Sequence, residues 1–311
     1  MLGYCFLSDG FSKIAKISNA EQKLRKTLDL KFPIHFWTSN YNSSETKYKF
    51  ICTPICLSGP RSFEELHMEI SKFNKIDHFG GAYIQTRAKL TSINDIQETY
   101  NDKIVSYRTV YYLLHTWSMD DWYSRMKRDS RSRFKKLDEY CDVSHITIER
   151  VSFGESIDGE LATQLSSKYH LTASERNFSS SYRFSAEQFL SLLNDPSWAL
   201  IVVHANNDVI GFCIIGETEV DWDYTFAVSR PFHFDVSRLL IKKAFEFAKE
   251  NNKNLCLGGG ISENDQLSDF KSRMGTEAVR LANFKIISDK LLSFIGHSRF
   301  ISYKTRRWPD A

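Results

Sequence analysis

The sequence predicts an α+β fold, and three observations carry that prediction. The stretch WALIVVHANNDVIGFCIIGETEVDWDYTFAVS (198–229) holds three apolar strand-like runs in succession, the first two joined by the tight turn Asn206–Asn207–Asp208. An amphipathic helical pattern, SRLLIKKAFEFAKENN (237–252), follows and leads into a short buried strand, LCLGG. Antiparallel hairpin strands that run into a strand–helix–strand crossover make an α+β sandwich, not a doubly wound sheet.

The remaining elements follow in chain order. Residues 1–50 predict a helix around Ala20–Leu30 with hairpin-like material after it. YKFICTPICL (48–57) reads as a strand interrupted by Pro54. PRSFEELHMEISKFNKI (60–76) places Pro60 before the first turn and Phe63, Leu66, Ile70 and Phe73 at helical spacing. AYIQTRAKL (82–90) and the aromatic VSYRTVYYLLHTW (105–117) read as strands. At Ser118 the texture changes, and SMDDWYSRMKRDSRSRFKKLDEYC predicts one helix with Trp122, Met126, Phe134 and Leu137 on its apolar side. HITIERVS (145–152) is a strand and DGELATQLSSKYHLTASER (158–176) a helix. SAEQFLSLLND (185–195) is another helix, N-capped by Ser185, with Glu187 and Gln188 in its first turn. Beyond the three central strands, Ser237 is a candidate cap for the 237–252 helix, QLSDFKSRMG is a helix and VRLANFKIIS (279–288) a last strand. The C-terminal KLLSFIGHSRFISYKTRRW is basic and amphipathic, a pattern used both by docking helices and by helices at a membrane surface. It fits a docking helix better. The expected organisation is a domain over 1–117, a basic interdomain helix over 118–142, a second domain over 143–290 and a terminal segment over 291–311.

Bulk properties narrow the function classes. A length of 311 residues suits two domains, and a hydrophobic share of 42% rules against global disorder. A net charge of +3 does not demand nucleic acid as the main partner. Six cysteines, at 5, 52, 56, 141, 213 and 256, form no metal-ligand set: Cys52 and Cys56 sit four apart without a second pair or a nearby His. They are expected as buried, reduced thiols, with no metal. The N-terminus lacks the basic and long apolar regions of a signal peptide, and no run reaches the ~18 apolar residues of a membrane span. The expectation is a soluble cytoplasmic chain.

The element order of the second half, β-α-α-β-β-β-α-β-α-β, is similar to the Gcn5-related N-acyltransferase (GNAT) fold. Four segments resemble its FemAB-like branch, which includes the peptidoglycan-bridge aminoacyltransferases and shorter relatives of surface-polysaccharide pathways. WSMDDWYSRMKRDSRSRFKKLDE (117–139) resembles the family's interdomain helix, and SKYHLTASERN (167–177) its aromatic-then-T-x-x-R helix. DYTFAVSRPFHFDVSRLLIKKAFEFAKENN (223–252) resembles its strand-to-long-helix segment, and LCLGGG…DQLSDFKSRMG (255–275) its D-L-G-G…F-K-x-x-F-G signature. The resemblance implies tandem GNAT-like domains, the first a degenerate copy. The coiled-coil arm of longer members that use transfer RNA has no counterpart in this sequence.

That resemblance also implies where the chemistry sits. In the GNAT arrangement the fourth and fifth strands, DYTFAVS and NLCLGGG, begin side by side and splay apart around an acyl donor. Gly258, Gly259 and Gly260 then wall the site, whereas the residues alone read equally well as a bulge before a helix. Acyl-CoA enzymes hold the pyrophosphate in a glycine loop after the fourth strand. Here SRPFHFDVS (229–237) stands there, with Arg230, His233 and Ser237 as donor-binding candidates and Asp235 either repelling phosphate or capping the helix. Asp221 and Asp223 share a strand face by their spacing, with Trp222 and Tyr224 opposite. Asp221, Asp223, Tyr224 and His170 are the catalytic candidates, His233 being a second candidate base; each also has a purely structural reading. Lys271 and Arg273 in DFKSRMG, with Arg131 and Lys135 four apart on the basic helix, are the candidates for an anionic acceptor.

The function implied is transfer of an acetyl-type acyl group from acyl-CoA to an amine of a cell-surface glycan precursor, nucleotide- or lipid-linked, by direct attack. No Cys–His or Ser–His–Asp arrangement argues for a covalent intermediate. The alternatives are a Fem-type aminoacyltransferase using aminoacyl-tRNA, and a catalytically silent GNAT-fold binding module.

Overall fold

Apolar side chains on both faces of 198–229 call for cover on both sides, and the fold supplies it. The computed structural model describes residues 35–40, 47–52, 68–69, 71–73, 75–77, 79–89, 104–143, 145–176, 183–218, 221–260 and 265–287. In chain order the strands and helices are β1 (His35–Asn40), β2 (Lys47–Cys52), β3 (Phe79–Lys89), β4 (Ile104–Leu113), α1 (Met119–Arg125), α2 (Arg128–Val143), β5 (Ile146–Val151), α3 (Gly159–Glu175), α4 (Ala186–Leu193), β6 (Trp198–Ala205), β7 (Asp208–Glu217), β8 (Asp221–Ser229), α5 (Val236–Glu250), β9 (Asn254–Cys256), α6 (Gln266–Ser272) and β10 (Glu277–Ile287). The helix expected around Ala20–Leu30, the segment over 291–311, Cys5 and Cys56 lie outside the described residues. So does much of the helix expected over 60–76, of which 68–69 and 71–73 are helical.

The described residues divide into two units, one built from 110–278 and the other from 35–109 with 279–287. In the latter, β1 and β2 form an antiparallel hairpin, β2 runs parallel to β3, and β10 pairs antiparallel with β3. Phe73 is fully buried there, its ring 5.4 Å from that of Phe79.

The 110–278 unit is built on strands in the order β4-β9-β8-β7-β6-β5. All neighbours are antiparallel except β8 and β9, which run parallel as ends of a crossover through α5. Alternation along β6 and β7 sorts the core into two faces. Ala199, Ile201, Val203, Cys213 and Ile215 pack with Leu239, Leu240, Ala244 and Phe245 of α5 and with Trp122, Phe134 and Leu137 of α1 and α2. The other face is aromatic: Phe226 meets Tyr169 of α3 and Phe184, and Phe212 meets Phe189 of α4. Such edge-on pairs add about 0.5–1.5 kcal/mol each beyond the area they bury.

Two local expectations need correction. The single helix predicted from Ser118 is two, because Met126 is extended (φ −69°, ψ 148°) and ends α1. Arg131 of α2 donates Nη2 hydrogen bonds to the Ser124 and Met126 carbonyls, satisfying groups that the break exposes. Asp235, not Ser237, is the N-cap of α5, its carboxylate accepting from the Arg238 N–H at 3.1 Å. Ser185 caps α4 as expected, in a capping box with Gln188. Cys213 and Cys256 are buried free thiols and Cys141 is a partly exposed one.

Trp122 ties α1 to the chain after α6. It is fully buried, lies 5.1 Å from Phe134 and 4.8 Å from Phe245, and donates its indole N–H to the Met274 carbonyl at 2.6 Å. Trp122→Ala removes the largest side chain of this layer and leaves a buried carbonyl unpaired. Unfolding in urea should show a loss of about 3–5 kcal/mol with an unchanged m-value; a loss below about 1 kcal/mol would mean that α1 is not part of the cooperative core.

Candidate active site

A register slip builds the site. Along the β7–β8 pair, Ile214 faces Phe226 while the next residue, Ile215, faces Tyr224, so Thr225 is one residue too many on β8. A bulge of this kind bends its strand and sharpens the local twist. On the other side, β8 pairs with β9 only through Asp221–Asn254, Trp222–Leu255 and Asp223–Cys256. Past Cys256 the chain stays with β4: the Leu257 N–H donates to the Tyr111 carbonyl at 2.8 Å, and the Tyr111 N–H to Gly258 at 3.2 Å. Strands β8 and β9 therefore part after Asp223, the separation expected for the fourth and fifth strands.

Beyond the open end lies a cleft of about 630 Å³. Its floor is the β8–α5 connection from Ser229 to Ser237, and its walls come from α2 and α3. Arg133, Lys136 and Tyr140 enter from α2, Thr172, Glu175 and Arg176 from α3. A Ser229–Ser237 hydroxyl contact at 2.6 Å closes the strand-to-helix connection. Arg230 reaches over to Glu175, with Nη1 2.8 Å from the carboxylate. An aromatic lip adjoins these charges: Tyr140 stacks nearly parallel on Phe234, and the His233 ring lies 4.3 Å from Phe232.

The predicted residues fall into groups. Arg230, His233 and Ser237 line the cleft together. Asp223 is the last residue paired with β9 and is only 5% exposed. Asp221 lies at the closed end of the gap, where it accepts from Asn254 Nδ2 at 3.1 Å. The Asn254 amide oxygen in turn takes the His115 backbone N–H and lies 2.9 Å from His115 Nδ1. Tyr224 sits on the opposite strand face, packed against the α5-side core and hydrogen-bonded to the Cys213 thiol. Burial holds the Tyr224 phenol well above its ordinary value, with the Cys213 charge and hydrogen bond adding to it, and burial likewise pushes the Cys213 thiol up. Both are neutral at physiological pH. The exposed His170 bonds the Phe184 carbonyl at 2.8 Å through Nε2 and does not line the cleft.

Local duties account for several others. Gly258 adopts φ +68°, a left-handed turn that favours glycine. A Cβ on Gly260 would lie 2.3 Å from both Ser268 Oγ and Asp265 Oδ1, the latter the N-cap group of α6 that takes the Ser268 N–H. Lys271 donates to the Gly259 carbonyl at 2.7 Å, so the three glycines are tied back to α6. Arg273 pairs with Asp269 at 2.7 Å and with Asp129 of α2 at 3.7 Å; the Asp269 carboxylate raises its pKa further. Arg131 caps α1, and neither it nor the exposed Lys135 lines the cleft.

The cations that do line it from α2 are Arg133 and Lys136. Phe134 and Leu137 set the buried face of α2, and the positions one residue earlier, 133 and 136, with Tyr140 a turn on, flank that face. That offset was the available signal, and Arg131 and Lys135 lie away from it. Asp235 answers the phosphate question in favour of capping: it takes the Arg238 N–H, and its second oxygen pairs with the guanidinium of the buried Arg238. The α5 N-terminus thus already carries a carboxylate. Among the described residues no cluster of three or more His, Cys, Asp or Glu is placed to hold a metal ion, and no helix is long and apolar enough to cross a membrane.

The fold is shared with solved structures. FemX superposes with a TM-score of 0.61 at 11% identity, over 91% of this chain and 97% of that one. The C-terminal domain of a putative lysylphosphatidylglycerol synthetase from Agrobacterium fabrum gives 0.54 at 9% identity, over 96% and 94%. The L-PGS of Bacillus licheniformis gives 0.52 at 12%, over 88% and 87%. At these identities the likeness is one of fold, and it is the FemAB-like fold expected from the sequence. No family model matches the chain, and no curated protein does either.

The Cys213–Tyr224 pair, a buried thiol beside a partly buried phenol, has a consequence for alkaline stability. On unfolding, the two groups regain ordinary values of 9.0 and 10.0, below those they hold in the fold. Their contribution is therefore complete below pH ~9 and is lost as pH rises from there towards the folded values, at up to about 1.4 kcal/mol per pH unit per group. Urea unfolding between pH ~9 and ~11 should show a shallower fall for Cys213→Ala/Tyr224→Phe than for the parent. Equal slopes would mean that the pair is solvated in the fold.

Proposed function

We propose that this chain is an acyltransferase that moves an acetyl-type group from acyl-CoA to an amine of a cell-surface glycan precursor, by direct attack. The observation that carries this reading is the parting of β8 and β9 after Asp223, beside a bulge at Thr225. Such a gap leaves backbone N–H and C=O groups open to an extended amide arm, and β8 ends at Ser229, which lines the cationic cleft. The fit to the donor is uneven. The gap suits the pantetheine arm, while the phosphate end meets side-chain cations instead of a glycine loop, because Asp235 caps α5.

In the reaction the amine nitrogen attacks the thioester carbonyl, a C–N bond forms, and the C–S bond breaks. The sulfur leaves as thiolate and takes up one proton, and the nitrogen loses one. Asp223 is the group we assign to remove the amine proton, since it is buried where the strands separate. Asp221, held by Asn254 at the closed end, is a positioning residue in this scheme. Tyr224 is locked as a neutral phenol against Cys213 and is not a base.

A second reading has a specific observation in its favour. The capped α5 N-terminus and the basic α2 suit an aminoacyl-tRNA donor, and one structural relative is named as a lysylphosphatidylglycerol synthetase, a name that implies an aminoacyl group placed on a lipid.

Differential scanning fluorimetry with acetyl-CoA and coenzyme A tests the donor. A donor at 100-fold its dissociation constant should stabilise the fold by about 2.7 kcal/mol. Thiol release with amino-sugar acceptors tests turnover, and Asp223→Asn should lower kcat by about 10²–10⁴ while the thermal shift persists. No shift with either ligand, together with transfer from a charged tRNA, would replace this reading with the aminoacyl one. A thermal shift without turnover on any amine would make the chain a binding module.

A further inference from the structure

We propose that the outer side of the α1–α2 corner is a docking surface for an anionic phospholipid bilayer. Residues 125–136 hold seven Lys and Arg against one acid, Asp129. That is a net charge of +6 in a chain whose total is +3, so the remaining residues sum to −3. A molecule divided in this way turns its basic side towards an anionic surface although its overall charge is small. Inside the fold much of this charge goes unanswered. Arg133 and Lys136 line the cleft, and Arg131 is engaged by the end of α1. The other four, Arg125, Lys127, Arg128 and Lys135, are exposed and make no ion pair with any described residue. Arg125 rests on the Trp117 ring at 4.2 Å, which leaves its charge at the surface. Two neighbouring carboxylates are committed elsewhere, Asp121 to Ser118 and Asp129 to Arg273, while the exposed Glu139 stands one turn beyond Lys135 and ends the patch.

Helix α2 also wears its charge against its own dipole. A helix favours acids in its first turn and cations in its last. Here Lys127 and Arg128 open the helix with Asp129 as the only acid beside them, and the last turn holds no cation. Helix formation gains nothing from that order, and adjacent unpaired cations repel one another. A partner outside the chain supplies the counter-charge.

The pattern fits an extended anionic surface better than a small anion or a base. None of the four side chains lines the cleft or the smaller cavity of about 200 Å³ beside His204. Arg128 and Lys135 lie two turns apart on one stripe of α2, roughly 10 Å along its axis, and Arg125 and Lys127 continue the patch from the helix start. No Asn or Gln stands among residues 125–136, and their single aromatic side chain, Phe134, is fully buried. Sequence-reading RNA binders use such groups to stack on bases or hydrogen-bond them. A bilayer surface requires charge alone. Docked through this side, α2 brings the cleft to within about one helix diameter, ~10–12 Å, of the headgroups. A lipid-linked acceptor can then be met without leaving the bilayer. That use rests on the acyltransfer reading; the surface itself does not.

Co-sedimentation of the full chain with vesicles at physiological ionic strength tests the surface. The chain should bind vesicles of equal parts phosphatidylcholine and phosphatidylglycerol, ignore phosphatidylcholine alone, and come off in high salt. Each Lys or Arg near an anionic surface strengthens binding about fivefold, so Lys127→Gln/Arg128→Gln/Lys135→Gln should weaken it about 10²-fold. Lys127→Arg/Lys135→Arg, which keeps the charge, should bind as the parent does. Lys75→Gln/Lys243→Gln/Lys253→Gln, which removes the same charge elsewhere, should change binding by less than about fivefold. The three patch side chains are exposed and unpaired, and melting curves check that their variant stays folded. No binding to the mixed vesicles, or equal binding by the parent and the patch variant, overturns the proposal. So does release from the vesicles by transfer RNA at equal phosphate concentration, which would assign the patch to RNA. A chain that docks on vesicles through this patch but transfers no acyl group keeps the surface and loses the acyltransfer reading; transfer in solution without docking does the reverse.

Discussion

One extra residue in a strand organises this molecule. With Thr225 inserted opposite the β7 ladder, β8 cannot keep both partners: it stays with β7 to Ser229 and loses β9 after Asp223. The backbone groups that β9 would have given β8 turn to β4 instead, through Tyr111. The bulge also resets the alternation. Trp222 and Tyr224 face the α5 side, yet two residues on from Tyr224 it is the opposite, aromatic face that receives Phe226. Without the slip, Phe226 would leave Tyr169 and Phe184 unfilled. The opening and the packing that supports it thus have one cause.

That cause was hard to read in advance. Elements with clear periodicity were legible to within a residue or two: α3, α4, α5 and the hairpin β6–β7 all fall where apolar spacing and caps put them. The bulge leaves no such mark, because DYTFA contains no glycine or proline and Thr225 suits a regular strand as well as a bulged one. The break at Met126 is equally silent, since a helical pattern with Trp122, Met126, Phe134 and Leu137 continues across it. The break is matched by contacts with the chain after α6, where Met274 accepts from Trp122 and Gly275 packs on the backbone at Met126, and those contacts join residues far apart in the chain.

The candidate site was legible in type more than in detail. A basic α2 was visible, but charge alone does not say which cations face a cleft; the buried stripe through Phe134 and Leu137 does. The three glycines of LGGG were conspicuous, and their duties prove mostly internal: a left-handed turn at Gly258, a tight approach to the α6 cap at Gly260, and a carbonyl at Gly259 bound by Lys271. They hold the β9 end against α6, away from β8, which helps keep the gap open.

Asp235 then explains why charge appears on α2 and α3 at all. A glycine loop before a helix binds phosphate with backbone N–H groups, which are short, fixed and already oriented. Once a carboxylate caps α5, the Arg238 N–H is engaged and the negative charge beside it disfavours an anion at that helix end. An anion can enter the same region only if cations outweigh Asp235 from elsewhere, and α2 and α3 are the walls available. Arginine and lysine reach several ångströms from their backbones, so a site built from them is wider and more adaptable than a backbone loop. Among these cations the Glu175–Arg230 pair supplies one counter-charge. A cationic, aromatic-edged cleft thus lies beside a strand gap at the one helix start whose cap is a carboxylate already paired with its own helix.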